Sequence, residues 1–217
     1  MKGYLICLSG VDGSGKTSAA RRLEIMLRER GIASHYVWLR RARFICLPFL
    51  AMCYILGYAR TAYAPDGTRT GVYEFYKSEW LSYLWAWFTG IDMLVSSLFR
   101  IYLPLARGKV LIVDRYVADA YVDLLCDTSI RNNGNRSLRF LLRLLPQESE
   151  LLFLDVEEQE AVRRKTDILD RECLTARRKI YAELAVRLDG YRIDTTHISL
   201  QTVCEEIIKV LDWGTTS

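Results

Sequence analysis

Five candidate strands recur along this chain, at residues 4–8, 34–39, 110–113, 151–154 and, more weakly, 191–194. The first, Tyr4-Leu5-Ile6-Cys7-Leu8, is a continuous apolar run of the kind that suits a strand buried on both faces of a parallel sheet. Helical patterns lie between them. The clearest spans about residues 16–30, is amphipathic, and stops at Gly31. Strands alternating with helices predict an α/β fold: a doubly wound, five-stranded parallel sheet flanked by helices.

Residues 40–109 break this rhythm. Arg40, Arg41 and Arg43 precede residues 44–59, sixteen positions without a charge. Turn formers follow around Pro65-Asp66-Gly67. Residues 80–99 then carry Trp80, Trp85, Trp87 and Phe88, with Asp92 as their only acidic or basic side chain. The first stretch is shorter than the roughly 20 residues a bilayer span needs and contains Pro48. The second holds a carboxylate in mid-span. The two are expected to be buried helices, packed on the sheet or on a second subunit. Contact with a membrane surface is the less favoured reading, motivated by basic residues beside an aromatic helix.

Composition narrows the class. The 217 residues are expected to form one domain, 1–217, with an apolar helical insertion at 40–100. A net charge of +4 is mild for a nucleic-acid binder, and no reading module is recognisable. Six scattered cysteines without a C-x-x-C pair suit reduced thiols in a cytoplasmic protein better than a disulfide frame or a zinc site. Two histidines exclude a histidine metal cluster. The first strand begins by residue 4, which leaves no room for a signal peptide before it.

The chemistry starts with Gly10-Val11-Asp12-Gly13-Ser14-Gly15-Lys16-Thr17. It matches the phosphate-loop pattern G-x-x-x-x-G-K-[ST], between an apolar strand and an amphipathic helix. Glycines let the backbone wrap a polyphosphate, and the helix N-terminus favours its charge. Residues Gly10 to Thr17, together with Ser18, are therefore expected to hold ATP. Lys16 would reach its β/γ-phosphates, and Thr17 would take Mg²⁺. Asp114 and Asp155 each follow a strand, on the side where open parallel sheets bind ligands. Asp155 suits a helix cap; Asp114, followed by Arg115 and Tyr116, suits function.

With these residues in place, the chain resembles the thymidylate kinase family of nucleoside monophosphate kinases. The stretch Ile6 to Thr17 looks like that family's G-x-D-G-x-G-K-T loop. Pro104-Leu105-Ala106-Arg107-Gly108-Lys109-Val110 with Ile112-Val113-Asp114-Arg115-Tyr116 resembles its P-A-L-x-x-G…V-I-x-D-R-Y run. Leu152 to Val156, with Arg163-Arg164-Lys165 and Asp170-Arg171-Glu172, resembles its fourth strand and lid; Ile193-Asp194-Thr195-Thr196 resembles its base-holding loop. The resemblance implies γ-phosphoryl transfer from ATP to dTMP, giving dTDP, with ATP and Mg²⁺ as cofactors. It implies that Lys16, Arg115 and the lid arginines Arg163, Arg164 and Arg171 are catalytic. It also implies that Thr195 touches the nucleotide, that Asp12 touches the acceptor sugar and that Arg115 clamps its phosphate. Asp114 would hold the Mg²⁺ water shell or position Arg115. A small-molecule nucleotide substrate and a homodimer through residues 40–100 follow from the same likeness.

Three departures fall on the acceptor side. No R-E-P-G-G-type loop follows the second strand, no basic residue lies within residues 92–98, and the serine after Asp-Arg-Tyr is missing. Tyr76 and Phe88, with Trp80, are the aromatic candidates for stacking an acceptor base. The alternatives are the same fold acting on another acceptor, such as another nucleotide or a membrane-associated phosphate or alcohol, and an ATP-binding switch without kinase activity.

Overall fold

The computed structural model describes residues 3–39, 44–63, 67, 69–130, 135–165 and 171–211, without the side chains of Thr70, Arg171 and Glu172. In chain order the elements are β1 (Tyr4–Gly10), α1 (Lys16–Glu29), β2 (Ser34–Trp38), α2 (Cys46–Ile55), β3 (Ala59–Tyr63), β4 (Arg69–Tyr73), α3 (Glu79–Ser97), α4 (Leu103–Ala106), β5 (Val110–Asp114), α5 (Val117–Asp127), α6 (Arg136–Leu142), β6 (Ser149–Asp155), α7 (Glu158–Arg164), α8 (Arg171–Arg187), β7 (Tyr191–Asp194) and α9 (Leu200–Val210).

The main sheet has the order β2-β5-β1-β6-β7, and every pairing in it is parallel. All five strands fall on the candidate strands of the sequence. β1 is central, and alternate side chains leave its two faces. Ile6 and Leu8 pack with Ala19, Leu23 and Leu27 of α1 and with Cys204 and Ile207 of α9. Leu5 and Cys7 enter the opposite core, with Val117 and Tyr121 of α5 and Tyr181 and Leu184 of α8. β1 also separates the two directions of winding, so its carboxyl end opens at the point where a ligand crevice forms.

The 40–100 region departs from the expectation of two helices joined by a loop. α2 ends at Ile55 rather than near 59. Gly57 adopts a positive φ of 78°, and the Tyr58 N–H reaches back to the Cys53 carbonyl at 2.9 Å, which closes the helix. The chain then forms an antiparallel hairpin, Ala59 pairing with Tyr73 and Tyr63 with Arg69. Pro65 and Asp66 of the expected turn lie outside the described residues. The threonines, tyrosines and valine on either side favour strands.

Phe49, Tyr73, Phe75 and Trp85 bind α2, the hairpin and α3 into one aromatic cluster, with Phe75 and Trp85 centroids 5.0 Å apart. α3 continues through a π-turn at Leu98–Tyr102 into α4. The whole helix, Glu79–Ala106, runs 28 residues and is the one among the described residues long and apolar enough to cross a membrane. One face of it is packed against the cluster; Trp80, Tyr83, Leu84, Trp87, Leu98 and Phe99 are exposed on others.

Asp92 is not a stray charge. It is buried, and its carboxylate accepts the N–H groups of Ile45 (2.9 Å) and Cys46 (3.0 Å), capping α2 from a neighbouring helix. Asp92→Ala should lower stability by about 2 kcal/mol, because two backbone donors, one of them buried, lose their acceptor. Urea unfolding measures the loss, and amide exchange should accelerate first around residues 45–49.

Candidate functional site

β1 delivers the chain to Gly10, whose φ of 142° and close approach to the Leu154 carbonyl leave no room for a side chain; a Cβ there would lie 2.0 Å from that oxygen. Gly15, at φ 84°, starts α1. Between them the loop folds back on itself. The Ser14 hydroxyl donates to the Val11 carbonyl at 2.8 Å, and Lys16 Nζ donates to the carbonyls of Gly10 (2.7 Å) and Val11 (2.6 Å). Lys16 is only 4% exposed. Burial, and next the Arg115 cation, push its ammonium down to about 8.

A cleft of about 420 Å³ opens over this loop, lined by Asp12, Gly13, Gly15, Lys16, Thr17, Ser18, Arg115, Arg164 and Lys165. Asp114, at the end of β5, is fully buried. Its Oδ2 accepts the Thr17 hydroxyl at 2.6 Å and the Tyr36 hydroxyl at 3.0 Å. Its Oδ1 has no hydrogen-bond partner among the described residues. An unsatisfied carboxylate oxygen beside a threonine hydroxyl is donor chemistry that a hard divalent cation takes, directly or through water.

The chain turns sharply after Asp114. Arg115 sits in the left-handed region at φ 63°, and its N–H donates to the Leu8 carbonyl at 3.1 Å. Its guanidinium donates to the Asp12 carboxylate. Lys165 Nζ stands 3.6 Å from the same Asp12 oxygen. Burial alone would raise the Asp12 carboxyl; Arg115, Lys16 and Lys165 outweigh it and hold the group well below the usual carboxylate range.

The lid residues divide. Arg164 lines the cleft, but its guanidinium is committed: it donates to Glu160 (2.7 Å) and to the carbonyls of Thr195 (2.9 Å) and Thr196 (3.0 Å). It fastens α7 to the loop after β7. Thr195 secures that loop from within, its hydroxyl donating to the carbonyls of Asp155 (2.9 Å) and Ser14 (3.2 Å). Arg163 points elsewhere. It is exposed, paired with Glu160 at 2.7 Å, and does not line the cleft. The Arg171 side chain lies outside the described residues.

Asp155 does not cap the next helix. Arg178 grips its carboxylate with two bonds (2.8 and 3.0 Å), and Arg192 adds a third contact. None of the three aromatic acceptor candidates, Tyr76, Phe88 and Trp80, lines the cleft. Tyr76 is exposed in a 3₁₀ turn, and Phe88 packs edge-on to Phe49 at 5.2 Å inside the insertion. Three polar residues near the loop escape sequence reading. Lys165 follows two arginines and looks like part of a solvated run. Tyr36 sits in an otherwise ordinary strand, and Asp119 looks like a polar position on a helix.

No protein-family model matches the chain, and no curated protein matches it in sequence. Among solved structures it is similar to thymidylate kinase from Candida albicans, with a TM-score of 0.66 over 97% of this chain and 92% of that chain, at 16% identity. That likeness shows the fold. The chain shares with that structure a helix-flanked, five-stranded parallel sheet.

Lys16 gives the site a pH signature. From about pH 8 up to 10.5 the unfolded chain retains a proton that the native lysine has shed, so stability rises with pH across that window. The cost of the buried ammonium is fully present below pH 8. Lys16→Met removes it at every pH. Wild-type stability relative to that variant should therefore climb by about 3 kcal/mol between pH 8 and 10.5, read by urea unfolding. A flat difference would contradict this account.

Proposed function

We propose that this protein is an ATP- and Mg²⁺-dependent nucleoside monophosphate kinase of the thymidylate kinase type, converting dTMP to dTDP in the cytoplasm. The observation that carries the reading is the convergence, in one cleft, of the phosphate loop, Thr17 beside Asp114, and Arg115. Phosphoryl transfer asks a protein for alignment and charge neutralisation rather than covalent help. Lys16 and the α1 N-terminus would bind the donor phosphates. Thr17 and Asp114 would hold Mg²⁺, which when bound neutralises charge on the donor. Arg115 suits a planar, bidentate grip on the acceptor phosphate, with Asp12 yielding its place. Arg164, tied to Thr195 and Thr196, would keep the donor base's loop against the start of the lid. The bond from the γ-phosphorus to the ADP oxygen breaks as a bond to the acceptor's phosphate oxygen forms.

Release of ADP from Mg·ATP against dTMP, dUMP, UMP, CMP, dCMP, AMP and GMP tests the reading. The Candida albicans enzyme is one of broad substrate specificity, so the panel is wide. The expected result is preferred turnover of dTMP, reduced at least about 10³-fold in Lys16→Ala. ATP binding without turnover of any acceptor would defeat the kinase assignment and favour a nucleotide-binding switch.

One observation favours a second possibility for the insertion. Trp80, Leu84 and Trp87 are exposed along α3 at heptad-like spacing, and Leu98 is exposed at the start of the π-turn that follows. We read this as the seam of a homodimer; lipid contact with a membrane-associated acceptor is the competitor. Sedimentation should give twice the monomer mass, and Trp87→Glu should halve it. Flotation with anionic lipid vesicles, at monomer mass, would select the competitor.

A further inference from the structure

Arg115 lies between two carboxylates of opposite character. Asp12 belongs to the phosphate loop and is partly exposed, with Lys165 also drawn to it. Asp119, on the first turn of α5, is 1% exposed. Its Oδ1 stands 4.0 Å from Arg115 Nη1 and accepts the Tyr181 hydroxyl at 2.9 Å. Its Oδ2 is fully buried and has no partner among the described residues.

A sealed, half-satisfied carboxylate is costly, and its neighbours on the helix do not call for one. Ala118, Ala120, Val122 and Leu124 are buried and apolar. Burial raises the Asp119 carboxyl on balance, against the pull of Lys16 and then Arg115. Those two cations are its electrostatic partners. In the run after Asp114-Arg115-Tyr116, which lacks the serine of the resembled family, this chain carries that carboxylate instead.

We propose that Asp119, braced by Tyr181, is a positioning residue for Arg115. It is a fixed counter-charge that keeps the guanidinium directed along the cleft once an incoming phosphate displaces Asp12. The root of the arginine is set by its left-handed backbone and its N–H bond to Leu8. Its head needs a second anchor, and Asp12 cannot serve as one. Asp12 shares its carboxylate with Lys165 at the edge of the lid, and an approaching phosphate repels it. Asp119, four residues along the chain and shut away from solvent, stays where it is. Pre-setting the guanidinium in this way lowers the ordering cost of acceptor binding. The proposal rests on reading Arg115 as the acceptor-phosphate clamp.

The test uses the full chain carrying Asp119→Asn, Tyr181→Phe, Arg115→Ala and the pair Asp119→Asn/Arg115→Ala, each checked for a cooperative melt. With Mg·ATP and dTMP, Asp119→Asn should raise KM for dTMP by about tenfold and leave Mg·ATP affinity within about threefold. Tyr181→Phe should shift the same constant less, and it carries the test if the asparagine variant does not fold. In the Arg115→Ala background, Asp119→Asn should add under about twofold, because residues acting through one another are not additive. A loss that multiplies in both backgrounds, or that falls on Mg·ATP affinity, overturns the proposal. Nitrogen-15 spectra of the Arg115 Nη groups give a reading independent of turnover. Exchange of the two Nη positions by rotation of the guanidinium should be slow in wild type and much faster in Asp119→Asn; equal rates overturn the proposal. If wild type turns over no acceptor, the kinase reading fails while the exchange rates still judge the role of Asp119.

Discussion

A buried ammonium without a contacting carboxylate governs this site. Lys16 spends its hydrogen bonds on the Gly10 and Val11 carbonyls, and no acidic side chain among the described residues touches it. Asp119, Asp12 and Asp114 offset part of the cost of its charge from a distance. Each of these carboxylates also holds a group of its own. Asp12 pairs with Arg115, Asp114 accepts from Thr17, and Asp119 accepts the Tyr181 hydroxyl. The cleft is thus a set of cations and anions in which Lys16 is not neutralised by a contact of its own, an arrangement that favours a polyanion. The glycines of the loop, the carboxyl-end position of the strands and the turn at Arg115 all serve that balance.

Much of the fold was legible because the inner strands β1, β5 and β6 are buried on both faces and so carry apolar runs, while the edge strands β2 and β7 are more exposed and β7, Tyr-Arg-Ile-Asp, reads more weakly. The phosphate loop was legible for a related reason. Its function depends on backbone geometry that only glycines at fixed spacing supply, so the residues and the chemistry coincide. The place of Asp114 near the loop followed from strand-end position alone.

What escaped reading depends on partners far apart in sequence. The hairpin at Ala59–Tyr63 and Arg69–Tyr73 is short and sits among apolar helical runs, so its threonines and tyrosines carried little weight against the surrounding pattern. Asp92 looked like a blemish in a hydrophobic stretch because its partners, Cys46 and Ile45, lie 46 and 47 positions upstream. Phe88 belongs to an aromatic cluster assembled by three elements, and nothing in its neighbours distinguishes that from a base-stacking position. Arg163 and Arg164 are adjacent, yet one faces solvent and the other the cleft. Helix phase separates them, and residue type cannot.

The register of the central strand also sets the order in which the molecule can be built. β1 emerges first from synthesis, but its hydrogen-bond partners are Val110–Asp114 and Ser149–Asp155. Until the second of these has been made, the phosphate-loop strand has an open edge. During that interval the apolar stretch from α2 to α4 has been synthesised without the completed sheet to pack against. The same central placement that puts the loop at the crevice leaves the apolar stretch from α2 to α4 waiting, in the growing chain, for a sheet that is completed only later.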